Sequence, residues 1–139
     1  PGHPVFRDFP TSFHTDLQWW EIQHRQQVMI LDEFPDGFQP LIQPIDTWFL
    51  NRKLGCLFEA KVLDGKIIVC SIDLESDLDV RPVARQLLHS ILNYMNDPAF
   101  TPSMSLDPGV IINLFRTDDG PAYDDFTQSS TEDLVPVTN

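Results

Sequence analysis

Two stretches of the chain carry most of its hydrophobic patterning. Leu54 to Val62 and Lys66 to Leu74 are strand-like runs joined by Leu63-Asp64-Gly65. An Asp-Gly step between β-rich arms predicts a hairpin. The second arm, Lys66-Ile67-Ile68-Val69-Cys70-Ser71-Ile72, is apolar on both faces, as in a strand covered on both sides by helices. The second stretch follows Pro82, a residue suited to the first helical position. Val83, Leu87, Leu88, Ile91, Leu92 and Met95 then recur at helical spacing, and Asn96-Asp97-Pro98 ends the run. A helix is predicted there.

Elsewhere the pattern is weaker. Pro1, Pro4 and Pro10 give an extended, irregular lead-in. Thr11 to Arg25 reads as a short helix that starts within that span. Thr15-x-x-Gln18 has capping-box form, with Asp16 in the first turn where the helix dipole favours an acid. Leu17, Trp20 and His24 would share one face. Val28 to Leu31 reads as a buried strand ended by Asp32, and Phe34-Pro35-Asp36-Gly37 as a turn. Pro40 to Trp48 carries two prolines, which fits an edge strand or a loop. Gly109 to Phe115 is one more strand candidate, and no internal repeat is present.

The 139 residues suffice for one ordinary domain. Charge changes the picture more than size does. Nine Lys and Arg stand against 21 Asp and Glu, a formal −12. Binding to a phosphate backbone or an anionic membrane through net charge is thereby excluded. The excess is uneven: residues 117–139 hold six acids and no base, with Gly, Pro, Ser and Thr between them. Such a segment buries too little to offset its ordering entropy. The expected organisation is a body over residues 1–116 and an acidic, poorly ordered tail over 117–139. No run is long enough to span a membrane as a helix. The chain opens Pro1-Gly2-His3-Pro4 without a Met or a signal peptide, as expected of a fragment or a processed product.

Cys56 and Cys70 lie on the two hairpin arms, with Cys70 placed roughly opposite Phe58. Two buried free thiols are expected. The chain has no Gly-x-Ser-x-Gly elbow, phosphate loop, His-Glu-x-x-His or Cys-x-x-Cys. No catalytic residue, metal ligand or cofactor site is therefore assigned.

Two clusters and one single residue are candidates for binding or interface roles. Around Trp19 and Trp20, indole faces with Asp16 and Gln18 could stack on and hold a sugar. The alternative makes Trp20 core, Trp19 a partly covered lid and Asp16 a helix-start acid. Asp46, Trp48, Asn51 and Arg52 form the second cluster, a loop with a carboxylate, an indole and a guanidinium. There Arg52 either serves a ligand or pairs with Asp46 or Glu59 to fix the loop. Asp73 ends the apolar second arm, at the sheet edge where ligands collect in open α/β folds. Equally, it could start the next turn or helix.

Longer runs carry a family resemblance. His3-Pro4-Val5-Phe6, His14-Thr15-Asp16-Leu17-Gln18-Trp19-Trp20, Gln43-Pro44-Ile45-Asp46-Thr47-Trp48, Asn51-Arg52-Lys53-Leu54-Gly55 and Arg81-Pro82-Val83-Ala84-Arg85-Gln86-Leu87-Leu88 resemble the C-terminal region of family-two glycoside hydrolases. These are the β-galactosidase-like enzymes of the Bacteroides type, and the likeness spans roughly residues 3–100. It implies a class I glutamine-amidotransferase-like α/β domain: a partial, mostly parallel sheet with a late β-hairpin and flanking helices. The opening strands of that fold are missing, so completion by the parent protein or a neighbouring chain is implied. So too is a catalytic barrel upstream, outside this chain, with the parent periplasmic or extracellular.

The function expected on these grounds is that of a non-catalytic accessory domain of a polysaccharide-degrading enzyme. It would pack on the catalytic domain or mediate subunit assembly. The partners expected are other domains of the parent, a glycan as candidate ligand and further copies in a homo-oligomer, without nucleic acid or membrane insertion. A carbohydrate-binding module using exposed Trp residues is the alternative, and a self-contained hydrolase or amidotransferase-like enzyme the third reading.

Overall fold

The apolar run at 54–62 becomes the spine of the structure. The computed structural model describes residues 2–12 and 16–116. Over these the chain forms a 3-10 turn at Pro4–Phe6, α1 at Leu17–Gln23, β1 at Met29–Ile30, β2 at Leu54–Gly55, β3 at Leu57–Val62, β4 at Gly65–Cys70, α2 at Pro82–Met95 and α3 at Pro108–Leu114. β1 pairs antiparallel with β2, and β3 antiparallel with β4. β1 can lie close to β2 because residue 55 is a glycine. A Cβ there would come within 2.6 Å of Leu31 Cδ1, on a side chain that is itself fully buried.

The two faces of the hairpin support two apolar clusters. On one, α1, α2 and the 3-10 turn pack Val5, Phe9, Trp19, Ile22, Leu87 and Tyr94 against Cys56 and Leu57. On the other, Leu31, Phe34, Phe38, Phe58, Ala60 and Leu106 form a smaller core, flanked by α3 through Val110, Ile111 and Leu114. Phe34, Phe38 and Phe58 meet edge to face, with centroids 4.9 to 5.5 Å apart, a favoured aromatic geometry.

The predicted mostly parallel α/β sheet is not what forms. Among the described residues both sheets are two-stranded and antiparallel, and the one parallel pairing is the isolated bridge between Lys61 and Ser105. A parallel sheet needs strands linked by crossovers of a dozen or more residues. Here the strongest strand pair is joined by a two-residue turn instead. That turn is Leu63-Asp64, one residue earlier than the Asp-Gly step suggested, and Leu63 takes a φ of 53°. Cys70 accordingly lies opposite Leu57, with Phe58 opposite Val69.

Three further expectations change. Residues 109–115 are helical rather than extended. Asp107 caps α3 by accepting from Gly109 N at 2.8 Å, and Pro108 takes a first-turn position; the Asp-Pro step was the signal. In α1, Asp16 is the N-cap and accepts from Gln18 N at 3.1 Å, while Thr15 lies outside the described residues. The buried face of α1 is Trp19 and Ile22, with Leu17 and Trp20 outside. Val28 and Ile30 are exposed, and only Leu31 of that run is fully buried. The helix after Pro82 forms as predicted, over Pro82–Met95 with Asn96 as C-cap. The tail, residues 117–139, lies outside the described residues.

Candidate functional site

The loop between the Gln43-Pro44 segment and β2 is closed by one ion pair. Asp46 accepts from Thr47 N at 2.8 Å and Arg52 N at 2.9 Å. It also takes Arg52 Nε at 2.9 Å and Nη2 at 3.1 Å, the two-pronged geometry that makes Arg–carboxylate pairs strong and directional. Only 6% of the Asp46 side chain is exposed. The Arg52 side chain and backbone N–H hold its carboxyl far below the usual carboxylate range. Inside this ring Leu50 N and Asn51 N both donate to Thr47 O. Asn51 sits at a φ of 47°, a conformation Asn tolerates better than most residues.

What the ring presents is apolar. Ile45 is 98% exposed, Trp48 82% and Phe49 73%, with Leu50 also exposed. The Trp48 and Phe49 rings lie 3.7 Å apart at 32°, so one indole face is covered by Phe49. The carboxylate and guanidinium that could have gripped a sugar hydroxyl are spent on each other. The sequence brought Asp46, Trp48, Asn51 and Arg52 together correctly. The loop-fixing alternative, Arg52 paired with Asp46, is the one the structure takes; the exposure of the aromatics at the tip was not legible.

The other candidates scatter. Trp19 is buried, with its Nε1 donating to Thr11 Oγ1 at 2.9 Å and its ring edge to face with Phe9. Trp20 is 66% exposed and meets His24 edge to face at 4.5 Å. The core and lid roles expected for Trp20 and Trp19 are thus exchanged. Asp73 accepts from Ser76 N at 2.9 Å and Glu75 N at 3.2 Å, a turn acceptor. Those N–H groups, reinforced by Arg81, lower its carboxyl to about 2.

Arg81 was not singled out from the sequence, yet it is the buried cation of the structure. Its guanidinium donates to Ser76 O and Asp73 O, each at 2.9 Å, and lies 3.4 Å from Glu21. Glu21 in turn accepts from Ala84 N at 3.3 Å, serving an α2 N-terminus that has no side-chain cap from its own N-cap residue. One carboxylate from α1 and one buried arginine thereby lock the 73–81 turn and two helices together.

A second cluster also escaped the sequence. Tyr94 donates to Glu59 Oε2 at 2.7 Å, and His3 Nε2 lies 3.7 Å from Glu59 Oε1. The His3 ring is edge to face with Tyr94 at 5.3 Å. Burial and the Glu59 carboxylate push the Tyr94 hydroxyl well above its ordinary value, so the phenol stays protonated as a donor. His3 Nδ1 accepts from Val5 N, which ties the ring to the 3-10 turn. No spacing rule joins residues 3, 59 and 94; only the packing of that turn on α2 and β3 does.

Of the two thiols expected to be buried, Cys56 is buried and Cys70 only partly so. Cys56 and Cys70 are both free, and burial raises both, Cys70 to about 11. Among the described residues no group of three or more His, Cys, Asp or Glu could hold a metal ion. No described helix is long and apolar enough to cross a membrane. An open groove of about 850 Å³ lies between β1, the end of β4 and α3, lined by Val28, Ile30, Phe34, Val69, Cys70 and Phe115 among others. None of the three tryptophans lines it.

These features define a small mixed domain of short helices and antiparallel hairpin structure, with the charges of its 45–52 loop paired to each other and apolar side chains at the loop's tip. Residues 1–116 match the model of a domain of unknown function, DUF8487, and the chain belongs to that family. No curated protein matches the chain.

Proposed function

We propose that this is a non-catalytic accessory domain of a β-galactosidase-like, polysaccharide-degrading glycoside hydrolase. Its work is to pack on the catalytic domain and to join subunits. The loop at 45–52 carries the reading: its charges are paired inward, and a rigid tip of Ile45, Trp48, Phe49 and Leu50 faces outward. Aromatic anchors on a preorganised loop are what protein interfaces use most effectively. The resemblance to the C-terminal region of those enzymes supports the choice of parent, and a parent of that kind places the domain in the periplasm or outside the cell.

The exposed indole of Trp48 favours a second reading, a carbohydrate-binding module. One assay set separates the readings. The purified chain is expected to hydrolyse no aryl-glycoside and to show no saturable change in Trp fluorescence with galactosides or plant glycans. Turnover lost on changing one internal carboxylate would overturn the accessory role. A saturable signal lost in Trp48→Ala would establish the binding module instead.

A further inference from the structure

β4 has the composition of a central strand and the position of an edge strand. Ile67 and Val69 pack toward one core, Ile68 and Cys70 toward the other, yet all four are only partly buried. The direction of the backbone groups follows from β3. Leu57 O accepts from Leu41 N, and Lys61 exchanges bonds with Met104 and Leu106, so these β3 residues face away from β4. Phe58, Ala60 and Val62 therefore pair with Val69, Ile67 and Gly65. Lys66, Ile68 and Cys70 point their N–H and C=O groups outward, where no described backbone group meets them.

Edge strands in stable monomers are guarded by charge, proline, bulges or a covering element. β4 has no proline, and its one charge, on the exposed Lys66, is engaged by its own chain. Lys66 Nζ donates to Phe100 O at 2.6 Å and lies over the Phe100 ring. The apolar surface also continues past the strand into the groove beside it, where Val28, Ile30 and Phe115 are exposed.

We propose that β4 is a docking edge whose occupant is β4 of a second copy, paired antiparallel about a two-fold axis at Ile68. The required partner is a strand apolar on both faces with a free edge, and among the described strands β4 itself has those properties. The outward residues are symmetric about Ile68, so this register uses all of them and forms about six hydrogen bonds. Ile68 meets its symmetry mate, Lys66 meets Cys70, and Ile67 meets Val69. No like charges face each other, and the contact is isologous and closed. The inference rests on the assembly half of the proposed function and does not involve the Trp48 loop.

Sedimentation velocity on the full 139-residue chain, from about 1 to 200 μM, tests it. Wild type is expected to pass from monomer to dimer across that range. Ile68→Pro removes one outward N–H at an edge position, where proline is tolerated, and is expected to weaken association at least about tenfold. Trp48→Ala is expected to dimerise like wild type. Should Ile68→Pro lose its fold by circular dichroism, Ile68→Cys replaces it. In the proposed register its thiols meet across the axis, and oxidation is expected to give a covalent dimer. A wild-type monomer at every concentration, or a dimer lost in Trp48→Ala and kept in Ile68→Pro, would overturn the β4 interface. The second result would leave the docking role of the 45–52 loop standing.

Discussion

β3 and β4 are the two arms of one hairpin and differ chiefly in what surrounds them. Leu57, Phe58 and Ala60 are fully buried, while the facing Cys70, Val69 and Ile67 are only partly so. β3 has β4 on one side and residues 41–42 and 104–106 on the other. Among the described residues, β4 has β3 alone along its length. Sequence composition thus reports how much cover a strand is built to take, and the structure reports how much the described chain supplies. In β4 the second falls short of the first. The shortfall is the surface proposed to receive a second copy.

Mutations should expose that difference, the largest effects falling on the covered arm. Phe58→Ala removes a ring that meets Phe34 and Phe38, and should cost about 3–5 kcal/mol in urea denaturation of the dilute monomer. Arg81→Ala breaks the lock between the 73–81 turn and α1, leaving Ser76 O and Asp73 O without their donors. A loss of about 2–3 kcal/mol is expected, read as a fall in thermal midpoint. Ile67→Ala on the uncovered arm should cost only about 1–2 kcal/mol in the monomer. A loss equal to that of Phe58→Ala would show that β4 is covered after all.

Acid should act on the polar locks and spare the apolar contrast. Asp46, Asp73 and Asp97 are all held below their ordinary values by N–H donors and arginines. A carboxylate depressed in this way adds stability that is fully present above its unfolded value, about 4. That stability is lost as pH falls through the folded value, near 2 for Asp73. Urea midpoints are therefore expected to drop between pH 4 and pH 2, and to drop less steeply in Asp73→Asn. The smallest effect belongs to the exposed tip: Trp48→Ala should change folding stability by no more than about 0.5 kcal/mol. A larger loss would make that loop part of the core.

Parts of this architecture were legible in the sequence because they depend on local spacing. The α2 periodicity, the Pro82 start and the Asn96 stop are such features, as are the hairpin arms. The Asp46–Arg52 pairing lay within seven residues and was among the alternatives weighed. What failed depended on distant partners. Leu17 and Trp20 satisfy helical spacing as well as Trp19 and Ile22 do; only the position of Phe9 and α2 decides which pair is buried. Residues 109–115 contain a Val-Ile-Ile run suited to a strand, but the Asp107-Pro108 cap and the apolar surface of the second core select a helix. The parallel sheet was implied by the family resemblance, and a β4 apolar on both faces agreed with it. A run apolar on both faces does not distinguish a central parallel strand from an antiparallel hairpin arm, and the two-residue turn selects the hairpin. Arg81 and the His3–Glu59–Tyr94 cluster join residues too far apart for any spacing rule.

Amide hydrogen exchange along β4, followed residue by residue at low and high protein concentration, tests the central claim most directly. Gly65, Ile67 and Val69 face β3 and are expected to be protected at both concentrations. Lys66, Ile68 and Cys70 should exchange rapidly in the dilute protein and become protected as the second copy docks. Protection of those three amides already present in the dilute monomer, or absent at every concentration, would contradict it.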